Sequence, residues 1–115
     1  MATRNPTVTY DYNRATVVWT GLLNGDDGAA FEGFDWADAS VQITGTFGVG
    51  GSINMTGSND GTNYVVLTDP QGNAITKTSA AVEQISEGVK SFKPAVTAGD
   101  GTTSLTVTMY ARRNR

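Results

Sequence analysis

Apolar and polar residues alternate along most of this chain, in short runs separated by turn-forming clusters. The clearest run is Ser52 to Leu67, where Ile53 and Met55 point one way and Asn54 and Thr56 the other. That period of two marks a half-buried strand. Ser58-Asn59-Asp60-Gly61 then reverses the chain, because Gly61 takes positive φ freely and Asn59 and Asp60 do so at little cost. Tyr64, Val65 and Leu67 begin a returning strand, so the pattern predicts a β-hairpin.

The same alternation runs through Val41 to Phe47, and Gly48-Val49-Gly50-Gly51 is read as turning that strand back into the hairpin, making a meander. Ala15 to Leu23 is a strand with Val17 and Trp19 on one face and Val18 and Leu22 on the other. Being apolar on both faces, it is expected at the centre of a sheet or under a covering segment. Weaker strands are expected at Ala74–Lys77 and Ala81–Ser86. Val89 to Val96 places Phe92, Pro94 and Val96 on one face, and Pro94, which cannot donate to a ladder, is expected at a sheet edge or strand end. In the last strand, Thr103 to Ala111, Leu105, Val107 and Met109 face in while Thr106, Thr108 and Tyr110 face out. Asn24-Gly25-Asp26-Asp27-Gly28, Asp69-Pro70-Gln71-Gly72-Asn73 and Gly99-Asp100-Gly101 are turns. About seven or eight short strands at this spacing predict an all-β, single-domain β-sandwich, jelly-roll-like in arrangement. Residues 1–13 carry no apolar periodicity and read as an extended N-terminal arm ahead of a sandwich domain at 14–115.

Composition narrows the chemistry. The 115 residues include 14 glycines, no cysteine and no histidine. Without histidine the commonest general base and transition-metal ligand are missing, which argues against an enzyme. No cofactor is expected. The net charge of −3 provides no field for nucleic acid. No apolar run reaches the ~20 residues of a membrane helix, and Met1 to Pro6 lacks the apolar core of a signal peptide. The chain is therefore expected to be made in the cytoplasm and to leave it only within an assembly.

Charge and aromatic residues are unevenly placed. Asp26, Asp27, Glu32, Asp35 and Asp38 make one loop acidic; its spacing does not reproduce an EF-hand, so a solvated loop is preferred to a calcium site. No carboxylate pair is singled out for glycoside hydrolysis. Trp19 lies among apolar neighbours and is expected in the core. Phe31, Phe34 and Trp36 lie in an irregular segment and are candidates for a contact surface. The tail Arg112-Arg113-Asn114-Arg115 and the arm residues Arg4, Tyr10 and Tyr12, with Arg14, are candidates for docking, the arm by adding a strand to a neighbouring sheet edge.

Two resemblances rest on particular residues. Gly57-Ser58-Asn59-Asp60-Gly61-Thr62-Asn63-Tyr64, with Leu67 and Lys90-Ser91-Phe92-Lys93-Pro94, resembles the middle of a discoidin-type jelly roll. A longer series resembles small virion proteins of tailed bacteriophages, often capsid decoration (cement) proteins. It comprises Trp19-Thr20-Gly21-Leu22, Gly25 to Gly28, Val41 to Gly48, the hairpin, Leu67 to Asn73, Pro94 to Thr103 and Ala111-Arg112-Arg113. Phe92-Lys93 stands where the usual pattern has an aromatic-Arg pair. The resemblance implies a β-sandwich on the outside of a head shell, commonly a homotrimer, bound to the major capsid protein and localised to the virion surface. Arg4, Tyr10, Tyr12, Arg14, Phe31, Phe34, Trp36, Arg112 and Arg113 are then the expected capsid or intersubunit contacts. The alternative is a carbohydrate-binding module of a head fibre or tail component.

Overall fold

A computed structural model describes residues 2–32 and 38–113. Among them the chain forms strands β1 (Thr3–Arg4), β2 (Thr7–Asp11), β3 (Arg14–Leu22), β4 (Asp27–Gly28), β5 (Phe31–Glu32), β6 (Asp38–Thr46), β7 (Ser52–Ser58), β8 (Val65–Val66), β9 (Thr76–Lys77), β10 (Ala81–Ile85), β11 (Ser91–Ala98) and β12 (Ser104–Arg112). They make an all-β sandwich of two sheets. One is ordered β10-β6-β12-β3-β2; the other runs β1-β4-β11-β7-β8, with β5 also on β11 and β9 also on β7. Seven strands have five residues or more, close to the expected count, and the other five are two-residue pieces finishing the second sheet.

The alternation read from the sequence is what fills the space between the sheets. Val17, Trp19, Val41, Ile43, Leu105, Val107 and Met109 come from the five-stranded sheet, and Ile53, Met55, Phe92 and Val96 from its partner; all are buried. The hairpin is present, Thr56 facing Val66 and Gly57 facing Val65. Trp19 also meets its polar requirement, its indole N–H donating to the Ala29 carbonyl at 2.9 Å. Gly28 makes room for that ring: a Cβ there would lie 2.5 Å from Trp19 Cδ1 and 2.7 Å from Pro94 Cδ.

Four local expectations are revised. The glycine turn after β6 does not close a meander, since β6 and β7 belong to different sheets and the turn carries the chain across the sandwich. It is held there by Thr103, whose hydroxyl donates to the Phe47 carbonyl at 2.7 Å, and by Asp100, which accepts the Val49 N–H at 2.9 Å. Leu22 joins Val17 and Trp19 in the core, because the β3–β12 register shifts between the Leu22–Leu105 and Trp19–Val107 pairs. Gly21, at φ 66°, supplies the left-handed residue that such a bulge uses. Pro94 lies inside β11, not at an end. The Val96 N–H points away from β7 to the Asp26 carbonyl at 2.8 Å, so by alternation the nitrogen of Pro94 faces the gap between β4 and β5, where no ladder bond is lost.

The fourth revision concerns the first residues. Those read as an arm are extended, but they are tied into both sheets. β2 pairs antiparallel with β3 along its whole length, and β1 pairs parallel with β4. The tie at β1 is the buried Asp26 carboxylate. Its Oδ1 accepts the Ala2 N–H at 2.9 Å, and its Oδ2 accepts the Leu23 N–H at 2.9 Å and Arg4 Nε at 3.0 Å. Burial alone would raise the Asp26 pKa, but the N–H groups of Leu23 and Ala2, with Arg4, outweigh it and hold the carboxyl below its usual range.

Candidate functional site

The two-residue turn Tyr12-Asn13, with Asn13 at φ 62°, joins β2 to β3 at one end of the five-stranded sheet. The chain leaves β12 beside it, the Arg113 N–H donating to the Asn13 carbonyl at 3.0 Å. Tyr10, Tyr12, Arg14, Arg112 and Arg113, separated by a hundred residues of sequence, thus converge on one end of the body. Tyr12 is 84% and Tyr10 66% exposed.

Across this end runs a row of charges set by register. Asp11 lies opposite Arg14, Arg14 opposite Arg112, and Arg112 opposite Asp38. The outer carboxylates neutralise the inner cations. Arg14 lies 3.4 Å from Asp11, and Arg112 forms an ion pair with Asp38. Both guanidinium groups are held above their ordinary pKa, Arg14 chiefly by its hydrogen bond with Tyr110 and Arg112 by Asp38. The next row inward on the same face, two residues along each strand, reads Thr9, Thr16, Tyr110, Ser40, Gln84. Asp38, Ala39, Ser40, Gln84, Tyr110 and Arg112 line an open depression of about 260 Å³ on this outer face. Tyr110 was legible as an outward residue of its strand; its partnership with Ser40, Gln84 and Asp38 had no signal in the sequence.

The other expected contacts lie elsewhere. Arg4 is at β1, paired with Asp26. Phe31 is corrected from a contact residue to a core residue, 6% exposed, because β5 pairs it with Phe92 on β11 and turns it inward. Phe34 and Trp36 lie outside the described residues, as does Arg115. In the acidic loop, Asp26 is engaged as above, and Asp27 accepts from Thr3 Oγ1 at 2.9 Å and Lys93 Nζ at 3.1 Å.

The hairpin tip is organised by Asp60. Its carboxylate accepts the N–H groups of Thr62 and Asn63, each at 2.8 Å, and the Ser58 hydroxyl at 2.8 Å. These bonds, led by that from the Asn63 N–H, hold the Asp60 pKa well below the usual range. Beside it, Gly57, Ser58, Asn63, Val65, Leu67 and Val89 are among the residues around a cleft of about 240 Å³. The polar groups there are engaged within the protein: Asn63 Nδ2 donates to Asp60 Oδ2 at 2.9 Å, and Asn59 accepts the Lys90 N–H at 3.0 Å.

No known family model matches this sequence, and no curated protein does. In structure the chain is similar to the SPBc2 prophage-derived protein YomS, with a TM-score of 0.66 at 12% identity over 90% of this chain and 97% of that one. Weaker likenesses are to BH2720 from Bacillus halodurans, TM-score 0.46 at 11% identity over 96% and 71% of the two chains, and to NMB1881 from Neisseria meningitidis, TM-score 0.43 at 9% identity over 93% and 82%. The likeness to YomS is one of fold: a sandwich of this size and strand arrangement spans nearly the whole of both chains.

Proposed function

We propose that this chain is a non-enzymatic structural protein of a tailed-phage virion, decorating the outer surface of the head. In this reading it binds the major capsid protein, as a homo-oligomer of the trimeric kind, and bridges neighbouring capsid subunits. The observation that carries the reading is the convergence of Tyr12, Tyr10, Arg14 and Arg113 on one exposed end of a rigid body. Tyrosine buries large contact area at low entropic cost, and tyrosine and arginine are both enriched among the residues that dominate binding energy at interfaces. A sandwich whose first strands are bonded into both sheets transmits load between its contacts. Modest contacts suffice, because many copies and several subunits per site multiply them. The prophage origin of YomS, a protein of the same fold, supports the phage setting.

The test is binding to heads assembled from the major capsid protein of a phage that carries this chain, read by co-sedimentation and by copy number in purified virions. Copies in the hundreds are expected, with binding lost in a Tyr12→Ala/Arg113→Ala variant that keeps the parent's melting temperature. A dozen copies or fewer per virion, or full binding by that variant, would overturn the reading.

A further inference from the structure

We infer that the depression over Tyr110 on the outer face of the five-stranded sheet is a binding subsite for a single neutral pyranose sugar. Three observations carry it. First, the depression has an exposed aromatic element. Tyr110 is 36% exposed, its directly paired neighbours are the small Thr16 and Ser40, and its hydroxyl is hydrogen-bonded with Arg14. Small neighbours leave the phenol ring accessible to the C–H face of a sugar, and an aromatic side chain with a polar tip suits a ligand apolar on one face and hydroxylated at its rim.

Second, the polar groups are already fixed. Arg112 and Asp38 form an ion pair, and Gln84 Nε2 donates to Asp38 Oδ1 at 3.3 Å. A guanidinium beside a carboxylate offers donor and acceptor side by side, the complement of two adjacent hydroxyls that each donate and accept. The Ser40 hydroxyl and Gln84 amide extend that rim. Third, the charge balance selects against an anion: Asp11, Arg14, Arg112 and Asp38 form one row whose formal charges cancel. The volume of about 260 Å³, just below the ~300 Å³ at which drug-sized pockets begin, is enough for one sugar ring. Arg14 borders both sites, but Tyr12 and Arg113 do not line the depression and Gln84 lies apart from the head contact, so a Tyr12→Ala/Arg113→Ala variant and a Gln84→Ala variant test the two readings separately.

The experiment is saturation-transfer NMR on the full chain with the methyl glycosides of glucose, galactose, mannose and N-acetylglucosamine, alongside glucuronic and N-acetylneuraminic acids. At least one neutral glycoside is expected to bind. Tyr110→Ala should weaken it by about tenfold, whereas Tyr110→Phe keeps the ring and most of the binding. Gln84→Ala, an exposed change that leaves the core untouched, should weaken binding several-fold and gives a second readout if Tyr110→Ala does not fold. The inference is overturned if no neutral sugar binds, if only the acidic sugars bind, or if the Gln84 and Tyr110 variants bind like the parent.

Discussion

Replacing Asp26 with Asn should loosen the first strand and destabilise the whole sandwich, by an amount the hydrogen bonds allow one to work out. The carboxylate accepts three bonds, two from backbone N–H groups and one from Arg4. The Arg4 side chain is 40% exposed, so solvent screening leaves its pairing with less than about 1 kcal/mol. The Leu23 and Ala2 bonds to a buried charge carry more, roughly 1.5 kcal/mol each. Asparagine has one carbonyl oxygen. Placed at the Oδ2 position it keeps neutral bonds to Leu23 and Arg4, but its amide then meets the Ala2 N–H donor to donor. The expected cost is about 2 kcal/mol, or a fall in melting temperature of about 10 °C for a domain of this size.

The pH dependence follows from the depressed pKa of Asp26. Its folded value lies below the unfolded value of roughly 3.9, so its contribution is complete above the carboxylate range and fades as pH falls through that value toward the folded one. Urea denaturation of parent and Asp26→Asn proteins should therefore differ most at pH 7, and the difference should narrow as pH falls below about 4. Hydrogen exchange should locate the effect at the Asp27 and Ala29 amides, which donate to the Ala2 and Arg4 carbonyls. A difference below about 0.5 kcal/mol at pH 7, or one that does not change with pH, would refute the assignment of Asp26 as the tie between β1 and the body.

Gly28→Ala should be among the most damaging single changes, because its methyl would press on the Trp19 ring and Pro94; overpacking of this kind costs roughly 1–3 kcal/mol. Indole fluorescence and a melting curve read it, and an unchanged melting temperature would show that the ring has room to move. Gly21→Ala meets no neighbour within 4 Å but forces alanine to φ 66°, so the expected loss is smaller, roughly 1 kcal/mol, with the β3 bulge retained. Trp19→Phe should cost roughly 2 kcal/mol or more, since it opens a void and leaves the Ala29 carbonyl without its 2.9 Å donor. A chemical-denaturation midpoint equal to the parent's would contradict that.

Much of the fold was legible in the residues themselves. Alternation in Val41 to Phe47, Ser52 to Thr56 and Leu105 to Met109 determined strands, their inward faces and hence an all-β sandwich, because a side-chain period of two belongs to one strand and needs no knowledge of its neighbours. The lack of histidine and cysteine was equally a property of the chain alone. What alternation cannot encode is lateral: which sheet a strand joins and what lies beside it. Only the tertiary structure sent β6 and β7 to opposite sheets, though both carry the same pattern. It also turned Leu22 inward through a bulge at Gly21, buried Phe31 against β11 and bound the first strands to the body through Asp26. The candidate site is of that second kind. Its tyrosines and arginines were visible as residues, but the row joining Arg14 to Arg112 and Asp38, and the depression joining Tyr110 to Ser40 and Gln84, come from the pairing of β10, β6, β12 and β3. Such contacts span dozens of residues and are set by the energy of closing the whole core, which no local stretch of sequence contains.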